Sequence, residues 1–238
     1  MKTSYSRILY KISGEALMGN QAFGIDPAMV ARIAEDVIEA NELGTSIALV
    51  VGGGNIFRGV SLAAKGADRV TGDHMGMLAI VMNALALRMA FDERGVPATI
   101  LSGLAVPQVC ETFTQRMMVA ARDAGDVIIF AGGTGSPYFT SDTGAALRAA
   151  EFGADAIFKG TQVDGVYAAD PKKQPDAERY DTMTHGDLLE KQLGIMDASA
   201  VALARDNGID LVVFSIHKPG ELARVLRGEG TFTRITAE

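Results

Sequence analysis

Apolar stretches of five or six residues alternate along this chain with longer segments of helical periodicity. RILYKI, SIALVV, ATILS, DVIIFA and DLVVFS are nearly continuous in apolar character, which is typical of strands buried on both faces of a parallel sheet. The intervening segment 26–44 illustrates the helices: Asp26 can cap the first turn, Pro27 suits its start and Gly44 can end it. The alternation predicts an α/β fold in which helices cover both faces of a mostly parallel sheet.

Composition narrows the class of protein further. The 238 residues are 48% hydrophobic and carry a net charge of -7, which allows a large core and does not favour a surface that coats nucleic acid. The single cysteine, Cys110, excludes an intrachain disulfide and favours a reducing, cytosolic setting. No partner pattern accompanies Cys110, so a small buried apolar residue is a simpler interpretation than a nucleophile. We expect a cytoplasmic protein that needs no nucleic acid.

No segment reads as a membrane anchor. The start of the chain, MKTSYSRILYKIS, is too polar for a signal peptide. The longest apolar region, 75–91, is interrupted by Asn83 and Arg88 and falls short of the roughly 20 residues of a spanning helix. We interpret it as part of a core helix over about 75–94 and expect no membrane association.

The amino-acid composition of the chain changes near Lys159. Residues 161–181 are polar and rich in turn formers, and they include two prolines. We therefore predict a soft boundary between two lobes, 1–159 and 160–238, within one integrated domain.

Three glycine-rich turns each follow a predicted strand: KISGEA at 11–16, VGGGN at 51–55 and AGGTGS at 131–136. Ligands of open parallel sheets bind beyond the carboxyl ends of the strands, and glycine lets backbone N–H groups approach an anion closely. Three such turns together favour a phosphate site. The chain has no GxxxxGK[ST] motif, and the second turn lacks the GxGxxG spacing of a dinucleotide site.

Three charged residues accompany these turns. Lys11 could be a satisfied surface charge, but Ser13 and Gly14 follow it at once, so it could instead reach a phosphate as a mobile point charge. Arg58 follows the second turn and could bind a terminal phosphate or cap a helix. Asp142 follows the third turn and could cap the next helix, serve the chemistry, or do both.

Seven segments, in this order, carry a resemblance: KISGEAL, GIDP, VVGGGNIFRG, GDHMGMLA, GTGSPYFTSD, VDGVYAADP and MDASAVALARDNG. Together the chain resembles the bacterial uridylate (UMP) kinases of the amino-acid kinase superfamily over essentially its whole length. The resemblance implies a three-layer α/β/α sandwich and transfer of the γ-phosphoryl of Mg-ATP to UMP, giving UDP and ADP in de novo pyrimidine nucleotide biosynthesis. It also implies activation by GTP, inhibition by UTP and a homohexamer built as a trimer of dimers.

The resemblance implies roles for individual residues, with Mg²⁺ held mainly through the nucleotide phosphates and Asp197 orienting Lys11. The implied catalytic residues are Lys11, Arg58, Asp142 and Asp197. The implied ATP contacts are Lys11, Ser13, Gly14, Gly54, Arg58, Thr161, Tyr167 and Asp170. The implied UMP contacts are Gly53, Asp73 (on the ribose), Thr134, Gly135, Tyr138, Thr140 and Ser141. The region implied in the GTP response is Gly19, Asn20, Gln21, Ala22, Phe23 and Gly24.

The chemistry of this reaction suits the chain. A phosphate acceptor with a second pKa of about 6 is mostly dianionic near neutral pH and needs no general base. The difficulty lies in bringing two anionic nucleotides together, which Lys11, Arg58, Mg²⁺ and backbone amides would offset. Two alternatives stay open: a kinase of the same fold that phosphorylates a carboxylate or carbamate, and a nucleotide sensor without catalysis. The helix near 75–91 is apolar on more than one face, as in a fully buried helix or one that pairs subunits.

Overall fold

Eleven strands and seven α-helices form within residues 5–57 and 68–237, the part of the chain that the computed structural model describes. The strands are β1 Arg7–Ile12, β2 Ser46–Val51, β3 Ala98–Ser102, β4 Glu111–Thr112, β5 Val127–Ala131, β6 Ala156–Thr161, β7 Val166–Tyr167, β8 Arg179–Tyr180, β9 Thr182–Thr184, β10 Asp210–Ser215 and β11 Phe232–Thr236. The helices are α1 Pro27–Asn41, α2 Arg69–Asp92, α3 Gln115–Ala124, α4 Ser141–Phe152, α5 His185–Glu190, α6 Ala198–Asp206 and α7 Glu221–Leu226, and a 3₁₀ turn covers Gly14–Met18.

Nine of the strands form one sheet in the order β4-β3-β5-β2-β1-β6-β10-β11-β9. All neighbours in it are parallel except β10 and β11. The first strand of the chain therefore lies at the centre, between β2 and β6. A separate antiparallel pair, β7 and β8, lies outside this sheet.

Helices cover both faces of the sheet, which confirms the predicted three-layer α/β/α sandwich. One hydrophobic cluster joins the sheet to α1, α2 and α7, and a second joins the opposite face to α3, α4, α5 and α6. Side chains alternate along a strand, so Ile8, Tyr10 and Ile12 of β1 belong to the first cluster and Leu9 to the second. By the same alternation, Lys11 lies on the face that α4 covers.

Most predicted elements have the expected type, and the differences have local causes. Residues 111–125 have the pattern of one helix, but α3 begins only at Gln115, because Glu111 and Thr112 pair with β3 and Thr114 caps the helix. The short strands β7, β8 and β9 were not predicted, since two or three residues carry no periodicity.

Helix α2 is longer than the apolar segment predicted. Its 24 residues make it long and apolar enough to cross a membrane by length and composition alone. In the structure it is a core helix: ten of its residues are buried, and it packs on α1 and on β2, β3 and β5.

The sheet runs without interruption through the predicted lobe boundary. Lys159 lies inside β6, which pairs with β1 on one side and β10 on the other. Both hydrophobic clusters also draw residues from either side of that boundary. The division into lobes 1–159 and 160–238 stays a prediction. Strands from both predicted lobes belong to one sheet.

A buried histidine gives the fold a pH dependence of known sign. His185 begins α5, is fully buried, and its Nδ1 lies 2.7 Å from the carbonyl oxygen of Thr236 in β11. Burial lowers the pKa of His185 below its ordinary value of 6.5. Below pH 6.5 the unfolded chain therefore binds a proton that the native state excludes, so this residue should reduce stability as the pH falls.

We expect the free energy of unfolding to decrease between about pH 7 and pH 5, with a contribution from His185 of at most about 1.4 kcal/mol per pH unit. Urea titrations of the wild type and His185→Gln at several pH values measure it. The variant should show the shallower slope, and equal slopes would show that His185 does not carry this dependence.

Candidate active site

Two lysines and one aspartate form a buried ion triad at the carboxyl ends of the central strands. The parallel register of β1 and β6 pairs Lys11 with Lys159, and both side chains point towards the first turn of α4. There Asp142 places Oδ1 2.5 Å from Lys11 Nζ and Oδ2 2.8 Å from Lys159 Nζ. The triad thus follows from strand register, side-chain alternation and the start of one helix.

The charges in the triad depend on one another. Burial opposes ionisation of Asp142, but the charges of Lys11 and Lys159 outweigh it and hold the pKa of this carboxyl below its ordinary value. Burial, followed by the charge of Lys11, lowers the pKa of Lys159. With both lysines protonated the triad has a net charge of +1, which suits a site for anionic groups.

The second aspartate, Asp197, joins α4 to α6 instead of contacting Lys11. Its carboxylate accepts hydrogen bonds from the hydroxyl groups of Thr140 and Thr143, the latter at 3.0 Å, and from the backbone N–H of Ala200 at 2.9 Å. These contacts hold Asp197 against α4 and α6, and a role of Asp197 in orienting Lys11 stays a prediction. The carboxylate that contacts Lys11 belongs to Asp142, which lies in the first turn of the helix that packs over both strands and so reaches both lysines.

The first two glycine-rich turns pack directly on one another. Gly52 N donates to Ile12 O at 3.0 Å, and a Cβ at Gly14 would lie 2.5 Å from Gly52 O and 2.6 Å from the Oδ1 atom of Asn55. Only glycine allows this approach, which brings the turns after β1 and β2 to one edge of the sheet. Ser13 caps the 3₁₀ turn, and its side chain accepts a hydrogen bond from Glu15 N.

Gly14→Ala should disrupt this contact. The added methyl group meets backbone and cannot be relieved by a side-chain rotation, so we expect a loss of about 1–3 kcal/mol in unfolding free energy and a lower turnover. Gly186→Ala is a matched control, because its Cβ would lie an ordinary 3.4 Å from the nearest atom, Thr184 Oγ1. Thermal melts and activity assays of both variants make the comparison, and an unperturbed Gly14→Ala would contradict the packing described.

The third turn leads into a loop held by Asp73. The carboxylate of Asp73 accepts from Arg69 Nε at 2.9 Å and from the backbone N–H of Tyr138 at 2.7 Å. The Arg69 guanidinium also lies 5.5 Å from the centre of the Tyr138 ring. Tyr138 has a positive φ of 72° and is 66% exposed, so its ring is available at the surface of the site.

The other residues of this loop mostly make local contacts. Thr134 Oγ1 accepts from Ser136 N at 3.2 Å, and Gly135, with φ 77°, packs against Gly103. Thr140 caps α4, and Ser141 Oγ lies near Gly52. Five of the seven residues predicted to bind the acceptor thus lie between the third glycine turn and the start of α4. Asp73 of α2 contacts this segment through Tyr138, and Gly53 lies in the second glycine turn.

Two adjoining cavities, of about 470 and 550 Å³, lie beyond β6 and β10. Tyr167 lines both, Asp170 lines the second, and Lys172 contributes a cation to each. Tyr167 OH donates to Asp164 Oδ1 at 2.6 Å, and Thr161 Oγ1 donates to Val163 O at 2.6 Å, which closes the turn after β6. Tyr167 and Asp170 therefore line a space large enough for a nucleoside, and Thr161 lies at the end of β6 beside Gln162, which lines both cavities.

Two further predictions concern Arg58 and the segment Gly19 to Gly24. Arg58 lies outside the described residues. The segment Gly19 to Gly24 forms a loop between the 3₁₀ turn and α1; Phe23 is 76% exposed, and Gly24 N donates to Asn55 O at 2.7 Å. This loop is therefore tied at its end to the second glycine turn.

Sequence reasoning missed Lys159, Thr143 and the amide side chains of Asn55 and Asn83. A signal for Lys159 was present: like Lys11, it is a lysine near the end of an otherwise apolar strand and is followed closely by glycine. No sequence signal linked Thr143 to Asp197, since 54 residues separate them.

A parallel sheet with glycine turns and a Lys–Asp–Lys triad at its strand ends defines a candidate phosphate-handling enzyme. The chain belongs to the amino acid kinase family, which residues 6–215 match. Uridylate kinases of Brucella anthropi and Rhizobium meliloti are 57% and 58% identical to it over 235 residues, covering 99% of this chain and 98% of each relative. UMP kinase from Ureaplasma parvum superposes with a TM-score of 0.93 at 37% identity, covering 99% of both chains. UMP kinase from Bacillus anthracis does so with a TM-score of 0.94 at 33% identity, covering 98% of this chain and 97% of that one.

Proposed function

We propose that this protein is a UMP kinase, which transfers the γ-phosphoryl group of ATP to UMP in pyrimidine nucleotide biosynthesis. An oxygen of the UMP phosphate forms the new P–O bond, the bond to the ADP oxygen breaks, and UDP and ADP leave. The observation that carries the proposal is the Lys11–Asp142–Lys159 triad beside the packed glycine turns, in a chain similar to uridylate kinases over nearly its whole length.

In this proposal the lysines stabilise charge on the transferred group. Lys11 and Lys159 lie side by side, so their ammonium groups can contact neighbouring phosphate oxygens. Asp142 contacts both lysines and holds them at the carboxyl ends of β1 and β6. Asp197 holds the start of α4 through Thr140 and Thr143 and so supports Asp142. Phosphoryl transfer demands mainly such positioning and charge stabilisation.

The acceptor and donor have separate regions. Gly53 and the loop from Thr134 to Ser141 would hold UMP. The carboxylate of Asp73 would accept further hydrogen bonds from the ribose hydroxyl groups. Ser13, Gly14, Gly54 and Arg58 would contact the ATP phosphates, and Thr161, Tyr167 and Asp170 would form the nucleoside side of the donor site. The triad would then lie between the two phosphate chains.

A magnesium ion at this site would be held mainly by the nucleotide that brings it. Among residues 5–57 and 68–237, no group of three or more His, Cys, Asp or Glu side chains is placed to hold a metal. Each oxygen of Asp142 already contacts a lysine. Phosphate oxygens would therefore supply most ligands, and Mg²⁺ would neutralise part of the charge that develops during transfer.

One assay tests the activity and separates the alternatives. ADP release is measured with UMP, CMP, dUMP, acetylglutamate and carbamate as acceptors, each with and without Mg²⁺, GTP and UTP. We expect UMP- and Mg²⁺-dependent ADP release with matching UDP, activation by GTP that involves Gly19 to Gly24, and inhibition by UTP. Binding of ATP and UMP without ADP formation would identify a sensor instead, and turnover of a carboxylate or carbamate would identify another kinase of this fold.

The same proposal includes a cytoplasmic homohexamer. Four large apolar side chains of α2 are exposed along one stripe of the helix: Met75, Leu78, Met82 and Met89, the last at 63%. Exposed methionine and leucine at this spacing suit helix pairing across a two-fold axis. Light scattering should give six times the chain mass of 25.0 kDa, and a monomer would contradict this part of the proposal.

A further inference from the structure

Asn83 is a fully buried amide inside a core helix, and the roles proposed above do not use it. It lies in α2 among buried apolar residues that include Ile80, Ala84 and Leu87. A buried polar side chain in such surroundings is unfavourable unless all of its hydrogen-bonding groups find partners. The hydrogen-bond partners of Asn83 therefore indicate its role.

Those contacts form a closed pair with Asn55 of the second glycine turn. Asn55 Nδ2 donates to Asn83 Oδ1 at 2.9 Å, and Asn83 Nδ2 donates to Asn55 Oδ1 at 2.7 Å. The second N–H of Asn83 donates to Gly52 O at 2.7 Å, and that of Asn55 donates to Gly24 O at 2.9 Å. All four amide N–H groups of the pair thus have carbonyl partners.

The pair forms hydrogen bonds with both ends of the second glycine turn. Asn83 holds Gly52, which precedes Gly53 and Gly54, and it holds Asn55, which follows them. The same helix supports the middle of the turn, since a Cβ at Gly53 would lie 2.8 Å from Gly76 O. The path of the turn is therefore set by α2 and not by its own flexible glycines.

We propose that the Asn55–Asn83 pair is a positioning device, which fixes the backbone N–H groups of the Gly53–Gly54 turn for the transferred phosphoryl group. The inference rests on the proposed kinase function and assigns residues to it. Backbone donors stabilise a transition state only when their direction is set beforehand, and glycine offers no such restraint by itself. Neither amide needs to touch a substrate, so both act through the turn.

This role predicts a specific kinetic pattern. Asn83→Leu has a similar volume but no hydrogen-bonding groups, so it should free the turn while keeping the packing of α2. We expect turnover to fall by about 10- to 100-fold. The KM for ATP should change less, by at most about threefold, because the nucleoside would bind beyond β6 and β10 and Gly54 is the one proposed ATP contact in this turn. The two amides act as one unit, so their losses should not add. We expect the turnover of the double variant Asn55→Leu with Asn83→Leu to lie within about twofold of that of the slower single variant.

Leu87→Ala is the matched control, since Leu87 is fully buried one turn further along α2. It should lower the melting temperature without lowering turnover per folded molecule, whereas Asn83→Leu should lower turnover. If Asn83→Leu does not fold, Asn83→Ser replaces it, since serine keeps a hydroxyl but is too short to contact both Gly52 and Asn55. The same fall in turnover is then expected.

The outcomes separate the two levels of the argument. Wild type that forms no UDP from ATP and UMP would overturn the kinase function and this role with it. Active wild type with a folded Asn83 variant of near-normal turnover would overturn only the positioning role. Equal losses of turnover in Leu87→Ala and the Asn83 variant would show a general effect of core packing and would also overturn it.

Discussion

Replacing Lys11 with methionine is expected to lower turnover by about 100- to 1000-fold while the protein remains folded. Lys11 supplies a cation at the carboxyl end of the central strand, where the proposed reaction concentrates phosphate charge. Loss of one preorganised donor to such charge typically costs about 3–4 kcal/mol in activation free energy, which corresponds to this change in rate.

Stability should change much less, because Asp142 keeps its contact with Lys159 at 2.8 Å when Lys11 is removed. No buried charge is left without a partner, so we expect a loss of less than about 2 kcal/mol. Arg205→Met, which removes an exposed cation from α6, is the control and should be close to wild type in both properties. Near-normal UDP formation by Lys11→Met would show that Lys11 does not serve the transfer.

Asp142→Asn is expected to damage both activity and stability. The substitution leaves Lys11 and Lys159 without their shared anion, so two buried cations repel one another. Breaking a buried ion pair in this way typically costs about 3–5 kcal/mol in unfolding free energy. Turnover should fall by about 100-fold or more, since neither lysine is then held towards the cleft. Urea unfolding and steady-state kinetics measure the two losses.

The two effects can be separated with a second substitution. Asp142→Asn combined with Lys159→Met removes the repulsion and should recover part of the stability without recovering turnover. The pKa of Asp142 lies below its ordinary value of 3.8, so the stabilisation by this carboxylate is complete above that pH and is lost as the pH falls through the native pKa. Recovery of turnover in the double variant would contradict the role of Asp142.

The sheet and most helices could be predicted because their signals are local. The apolar runs of β1, β2 and β5 predict strands that are buried on both faces, and Asp26 and Pro27 predict the start of α1. The site could be predicted only as far as its turns. Lys11 and Asp142 each stand beside a glycine-rich turn, which is a feature visible in sequence.

The remaining site contacts depend on register and packing between distant segments. Lys159 meets Lys11 because β6 pairs with β1 in one particular register, across 148 positions of sequence. Asn83 looked like an interruption of an apolar helix until its contacts with Gly52 and Asn55 were known. Asp197 was paired with Lys11 by resemblance, whereas the geometry gives that contact to Asp142. Such relations arise from tertiary structure and leave no periodic pattern in the sequence.

The most direct test of the central claim is a crystal structure with UMP and a non-hydrolysable ATP analogue bound together. The two phosphate chains should meet at the carboxyl ends of β1 and β6, with the Nζ atoms of Lys11 and Lys159 within hydrogen-bonding distance of the group to be transferred. Both nucleotides bound with their phosphates remote from this triad, or with the lysines turned away from the gap between them, would contradict the account.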